Sequence, residues 1–260
     1  MPGHFALYAV AIALGLFCGM MLFLEIGRQF GAHEWAKFGK ETRGGVGVVE
    51  SSVYGLLGLL LGFMFSGAAG RFEHRRTLVA EAVNAAGIAW QRVDVLPPIQ
   101  QPPVRDAMRR YVDALLTWYT GPPATGSVTR EPPTLIRAQH EVWSVSVAAC
   151  TTTTGEHARM LLLPGLDDMF GAVERERAAR IMHPPGLVFA MLGVAALASA
   201  LFAGYSMAVG TRRNWMYIIG IAAAISIAVL VILELEYPRL GFVRIDQIDR
   251  TLQDLRMSME

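Results

Sequence analysis

The chain has 260 residues, 53% of them hydrophobic and 17% charged, with a mean hydropathy of +0.38 and a formal net charge of +1. That is too apolar for an ordinary soluble domain and suits a multi-span membrane protein with a polar part. The balanced charge carries no global signal for nucleic acid, and the two isolated cysteines, Cys18 and Cys150, give neither a disulfide framework nor a metal-type spacing.

Four apolar runs are each long enough to cross a bilayer: residues 5–24, 46–69, 187–209 and 215–233. The first has no Lys or Arg ahead of it and no small-residue cleavage pattern, so it reads as a retained helix rather than a signal peptide. A polar loop, 25–45, leads to the second run. The second run carries one carboxylate, Glu50, in its first turns and stops at Arg71, Arg75 and Arg76. An ionisable residue in a span is costly and therefore a candidate functional residue.

On a helical wheel the second run has two marked faces. Ser51, Gly55, Gly58, Gly62 and Ser66 form a stripe of small residues that would let another helix approach closely. Tyr54, Leu57, Leu61 and Met64 share a second face with Glu50, about 110° away. That face suits a pore or a partner, with Glu50 at the mouth and bulky apolar groups as a dewetting constriction. Glu50 also suits a plainer role, since a helix N-terminus favours a carboxylate.

The polar middle reads as helix. Residues 71–96 continue the second span until Pro97-Pro98 ends it. Residues 104–119 are amphipathic, with Val104, Met108, Tyr111, Val112, Leu115 and Trp118 at helical spacing. Gly121-Pro122-Pro123 opens a loop. Residues 134–150 and 156–182 are further helices, the second expected to kink or split at Pro164-Gly165. His183-Pro184-Pro185 precedes the third span, whose Gly193, Ala196, Ser199, Ala200, Ala203 and Ser206 suit close packing. The loop 210–214 makes the last two spans a tight hairpin. The fourth span ends in Glu234 and Glu236, at a helix C-terminus where the dipole disfavours negative charge. Arg71, Arg75, Arg76 and Arg239 are the expected partners, as an interfacial charge network.

The fold class expected is therefore an all-α membrane protein with four transmembrane helices in two pairs. Residues 1–70 form the first pair, 71–185 a helical cytoplasmic domain, 186–236 the second pair and 237–260 a cytoplasmic tail. Arg71, Arg75, Arg76, Arg175, Arg177, Arg180, Arg239, Arg244 and Arg250 fall on one side. Arg28, Lys37, Lys40, Arg43, Arg212 and Arg213 fall on the other. The larger set places both termini on the cytoplasmic side of the cell (inner) membrane. No histidine pair has ligand spacing, and no nucleophile elbow, phosphate loop or Ser/His/Asp order is present, so no metal, cofactor or enzyme activity is expected.

The text GLLGLLLGFMFSGAAGRFEHRRTLVAEAVNAAGIAW, then RRYVDALLTWY, QHEVW, HPP and LELEYPRLG, together resemble the DUF4239 membrane family, also labelled bestrophin-like. The resemblance runs from Glu50 to near the end of the chain. Glu50 and the 55–66 segment match the family's second-span pattern. Glu234, Glu236, Pro238 and Gly241 match the end of its fourth span, with Tyr237 where Arg is usual. Bestrophins are pentameric ion channels with four membrane helices and a helical cytoplasmic part, so the resemblance implies a homo-oligomeric channel in the lipid bilayer, for small ions and by the label for anions. A ring of Glu50 carboxylates would instead favour cations. Two other classes share the layout: a proton-coupled stator-type subunit that needs a single-span partner, and a membrane scaffold or sensor that binds a cytoplasmic protein.

Overall fold

The computed structural model describes residues 3–38, 46–120, 131–151, 156–208, 215–237 and 246–260. Among these the chain is all-helical, with no strand. The helices are α1 (Gly3–Phe38), α2 (Val46–Arg92), α3 (Gln101–Thr120), α4 (Pro133–Cys150), α5 (Glu156–Ile181), α6 (Gly186–Met207), α7 (Trp215–Glu236) and α8 (Asp246–Ser258). Four stretches, within α1, within α2, across α5 and α6, and within α7, are long and apolar enough to cross a membrane. The chain is a membrane protein.

Two compact units are resolved. An apolar unit holds Pro2–Gly70 and His183–Val243, and a polar unit holds Arg71–Met182 and Arg244–Glu260.

In the apolar unit α1 packs along both α6 and α7. The α1–α6 crossing is close enough to need glycine. A methyl group on Gly27 would lie 2.0 Å from the Leu201 carbonyl oxygen, and one on Gly204 would lie 1.9 Å from that of Leu24. Each glycine Cα–H therefore meets a carbonyl of the other helix, a weak contact that recurs where helices touch backbone to backbone. Gly31 extends the crossing, facing the Tyr205 carbonyl and the Ala208 side chain. This overturns the polar loop expected over 25–45 for residues 25–38, while 39–45 lie outside the described residues. Helix α1 runs to Phe38, because Gly27 and Gly31 dock it on α6 and the Glu25–Arg28 pair (2.6 Å) satisfies the charges one turn apart. On α6 the expected small-residue face is buried at Ala196, Ser199, Ala200 and Ala203.

In the polar unit the core collects Ala82, Ala86 and Ala89 from the end of α2, Val93 just after it and the apolar face of α3. Each Leu, Val or Met buried there contributes roughly 1.5–3 kcal/mol. Trp118 lies only half-buried, while its neighbour Tyr119 is buried. Helix α2 gives way to a 3₁₀ turn at Val93–Val95, just before Pro97-Pro98. Pro164 sits inside an unsplit α5. The Arg92 side chain packs on Gly165 and donates from Nη1 to the Leu161 carbonyl at 3.1 Å, supporting the helix where proline removes a donor. The segment expected as a simple tail contains α8, which packs on α3 through Leu252 and Met259. Arg256 grips Asp113 with two bonds (2.6 and 3.3 Å), and Arg109 Nε donates to the Met259 carbonyl at 2.8 Å.

Candidate functional site

Within the chain the two marked faces of α2 exchange the surroundings the sequence suggested. The Glu50 face turns inward: Leu57 and Met64 are buried in the core of the apolar unit with Ala68, and Tyr54 and Leu61 are half-buried. Bulky apolar groups fill the space between α2 and the other helices of this unit. The small stripe is open. Ser51, Gly55, Gly58, Gly62 and Ser66 are exposed, and a methyl group on Gly55, Gly58 or Gly62 would meet nothing within 4 Å. Ser51 and Ser52 donate to the carbonyls of Gly47 and Val48 (2.7 and 2.8 Å), the usual way a hydroxyl is satisfied on a span. The close approach expected of this stripe is made instead by Gly27, Gly31 and Gly204. The four-residue spacing of Gly27 and Gly31 on α1 is visible in the sequence, but both lie beyond residues 5–24, the run read as a span.

Glu50 is half-buried and accepts a short hydrogen bond from Ser206 Oγ of α6. Next to it, Tyr205 donates from its hydroxyl to Glu34 Oε2 of α1 at 2.5 Å. An apolar crevice near this end is lined by Met20, Leu24, Tyr54, Ala203, Met207 and Ile221, among others, and no charged side chain lines it among the described residues.

The residues of the expected charge network are placed as follows. Arg75 is buried and donates to the carbonyls of Ala179 (3.2 Å) and Met182 (3.0 Å), covering the exposed end of α5. Arg76 pairs with Glu73 at 3.2 Å, and Arg71 is half-buried. Glu234 and Glu236 are both buried. Glu236 Oε1 lies 3.0 Å from His183 Nδ1, and the His183 ring stacks on Tyr237 with centroids 4.5 Å apart. Arg71, Arg75 and Arg76 belong to the polar unit and the two glutamates to the apolar one. Arg239 lies outside the described residues. No local pattern around His183 signals its contact with Glu236, 53 positions away.

A second buried polar group lies in the polar unit. Glu176 accepts from the Tyr119 hydroxyl (3.0 Å) and from Arg180 Nε (2.5 Å). The Arg180 guanidinium lies over the rings of Trp118 (4.7 Å) and Tyr119 (4.4 Å). Burial, with a smaller contribution from Glu131, pushes the Tyr111 phenol above its ordinary value of 10.0, and burial likewise raises the Cys150 thiol. Among the described residues no three His, Cys, Asp or Glu side chains gather as a metal site requires.

Comparison with known proteins supplies the family. The model of the Bestrophin-like domain matches residues 14–248. No curated protein matches. Among solved structures, two single-substitution variants of a bacterial bestrophin homologue from Klebsiella pneumoniae superpose with TM-scores of 0.58 and 0.57, at 16% and 17% identity. They cover 92% and 96% of this chain, and 98% of their own in each case. A third structure, of a membrane protein, gives a TM-score of 0.56 at 14% identity, over 93% of this chain and 98% of that one. At these identities the likeness is one of fold.

Proposed function

The chain belongs to the Bestrophin-like family, and from that premise we propose that it is a homo-oligomeric ion channel of the cell (inner) membrane. The apolar unit crosses the bilayer as two pairs of helices, with α1 and α2 in one and α6 and α7 in the other. The polar unit and both termini are cytoplasmic. The observation that carries the reading, beyond the family, is the open face of α2. A helix apolar enough to span leaves Ser51, Gly55, Gly58, Gly62 and Ser66 uncovered by its own chain. Small residues and hydroxyls gain little from lipid, whereas they suit a neighbouring subunit or a water-filled path. The family resemblance makes an anion the expected permeant ion.

Thiol accessibility in reconstituted vesicles tests this. Cys18 and Cys150 are first replaced by alanine. Cysteine is then placed at Ser51, Gly55, Gly58, Gly62 or Ser66, and at buried Leu57 and Met64 as controls. A charged thiol reagent should label the first group and reduce ion flux, leaving the second unmodified. Bi-ionic flux of chloride against sodium then identifies the permeant ion. Well-folded protein that carries no flux of either ion would refute the channel reading.

A further inference from the structure

We infer that Glu50 is a positioning residue, one half of a hydroxyl–carboxylate clip that ties three helices together at one end of the apolar unit. Tyr205 and Ser206 are consecutive on the last turn of α6, so they point about 100° apart. Each reaches a carboxylate on a different neighbour: Tyr205 bonds Glu34 near the end of α1, and Ser206 bonds Glu50 near the start of α2.

The chemistry explains why hydroxyls stand here. Glu34 is exposed and close to the C-terminus of α1, where the helix dipole disfavours a carboxylate, so a donor from a neighbouring helix stabilises it. Glu50 gains from the N-terminal end of α2 but is half-buried, and its burial is costly without a bond. Ser199, on the same helix as Ser206, donates to the carbonyl of Ala195 at 2.7 Å in the ordinary way of a membrane serine. Ser206 donates across to α2 instead. Gly204 and Gly31 set the spacing, because each brings backbone of α1 and α6 together beside this turn. The clip fixes where α2 begins, and hence how its open face is presented. Glu50 therefore acts through Ser206 and not as a free charge at a pore mouth.

This rests on the channel reading only for its consequence in flux, and the experiment separates the two. Thermal unfolding of the purified full-length protein in detergent is measured for Glu50→Ala, Ser206→Ala and the double variant. Each single substitution should lower the Tm by about 3–10 °C, and the double should fall no further than the worse single. Ser206→Thr, which keeps the hydroxyl, and Glu50→Gln, which keeps an acceptor, should recover most of the loss. In vesicles that conduct, Glu50→Gln should keep the wild-type reversal potential while Glu50→Ala and Ser206→Ala reduce flux together. Additive losses of Tm would overturn the clip, as would a reversal potential displaced by Glu50→Gln. Absence of flux in the wild type would overturn the channel reading and leave the unfolding cycle to decide the clip.

Discussion

Gly204→Ala should be among the most damaging single-methyl changes in the apolar unit. The added carbon would lie 1.9 Å from the Leu24 carbonyl oxygen, 2.7 Å from its carbon and 2.9 Å from its Cα. All three are backbone atoms, so no side chain can swing aside. An acceptable carbon–oxygen contact is about 3.3 Å, so α1 and α6 must open by roughly 1.4 Å at this point. Overpacking of this kind costs about 1–3 kcal/mol. Replacing glycine by alanine in a helix returns about 0.5–1 kcal/mol, which leaves a net loss of roughly 0.5–2 kcal/mol. At about 2–4 °C per kcal/mol for a chain of this size, the Tm should fall by about 1–8 °C. Gly27→Ala meets the Leu201 oxygen at 2.0 Å and should behave alike. The double variant should lose less than both losses together, because the first opening makes room for the second methyl. Gly193→Ala on α6 is the control, since nothing lies within 4 Å of its added carbon. Fluorescence-detected unfolding of detergent-solubilised protein reads all four. A Gly204→Ala Tm equal to that of Gly193→Ala would refute the close crossing.

Three further outcomes follow from the polar unit. Tyr111 and Cys150 are held neutral by burial, so their raised values make stability constant below their unfolded titrations and lower as the pH climbs past about 9 to 10. The wild-type Tm should drop in that window, and Tyr111→Phe should flatten the drop; identical pH profiles for the two would exclude Tyr111 as a source. Leu252→Ala, at a fully buried contact of α8, should cost about 2–5 kcal/mol by the same melting assay. Arg256→Ala removes a half-exposed pair with Asp113 and should cost about 1 kcal/mol or less, so the reverse ranking would mean that charge rather than packing holds α8.

The features legible in the sequence were those written in local periodicity. The four apolar runs, the apolar face of α3 and the stop at Pro97-Pro98 each depend on residues within a few turns of one another. Helix α8 was equally readable, since Leu252, Leu255 and Met259 recur at helical spacing, but a position after the last span suggested only a tail. The extension of α1 was hidden for a different reason. Glu25, Arg28 and Gln29 look like a loop until a partner helix is known to lie against Gly27 and Gly31. The helical pattern of α2 defines two faces, but it does not say which of them the rest of the chain covers. Leu57 and Met64 offer more apolar surface to bury than Gly58 and Gly62, and within one chain that difference selects the inner face.

Donor identity was the least legible part, and helix electrostatics shows why. A carboxylate at a helix C-terminus is out of register with the dipole, so Glu34 on α1 and Glu236 on α7 each announce the need for a hydrogen-bond donor. The sequence can state that need but not every group that meets it. The bonds described are to a tyrosine hydroxyl and a histidine ring, from residues 171 and 53 positions away. Each of these donors reaches its carboxylate from a distant part of the sequence, and Ser206 on Glu50 is a third such bond. Helix α2 is thereby fastened to α6 at the end where its open face begins.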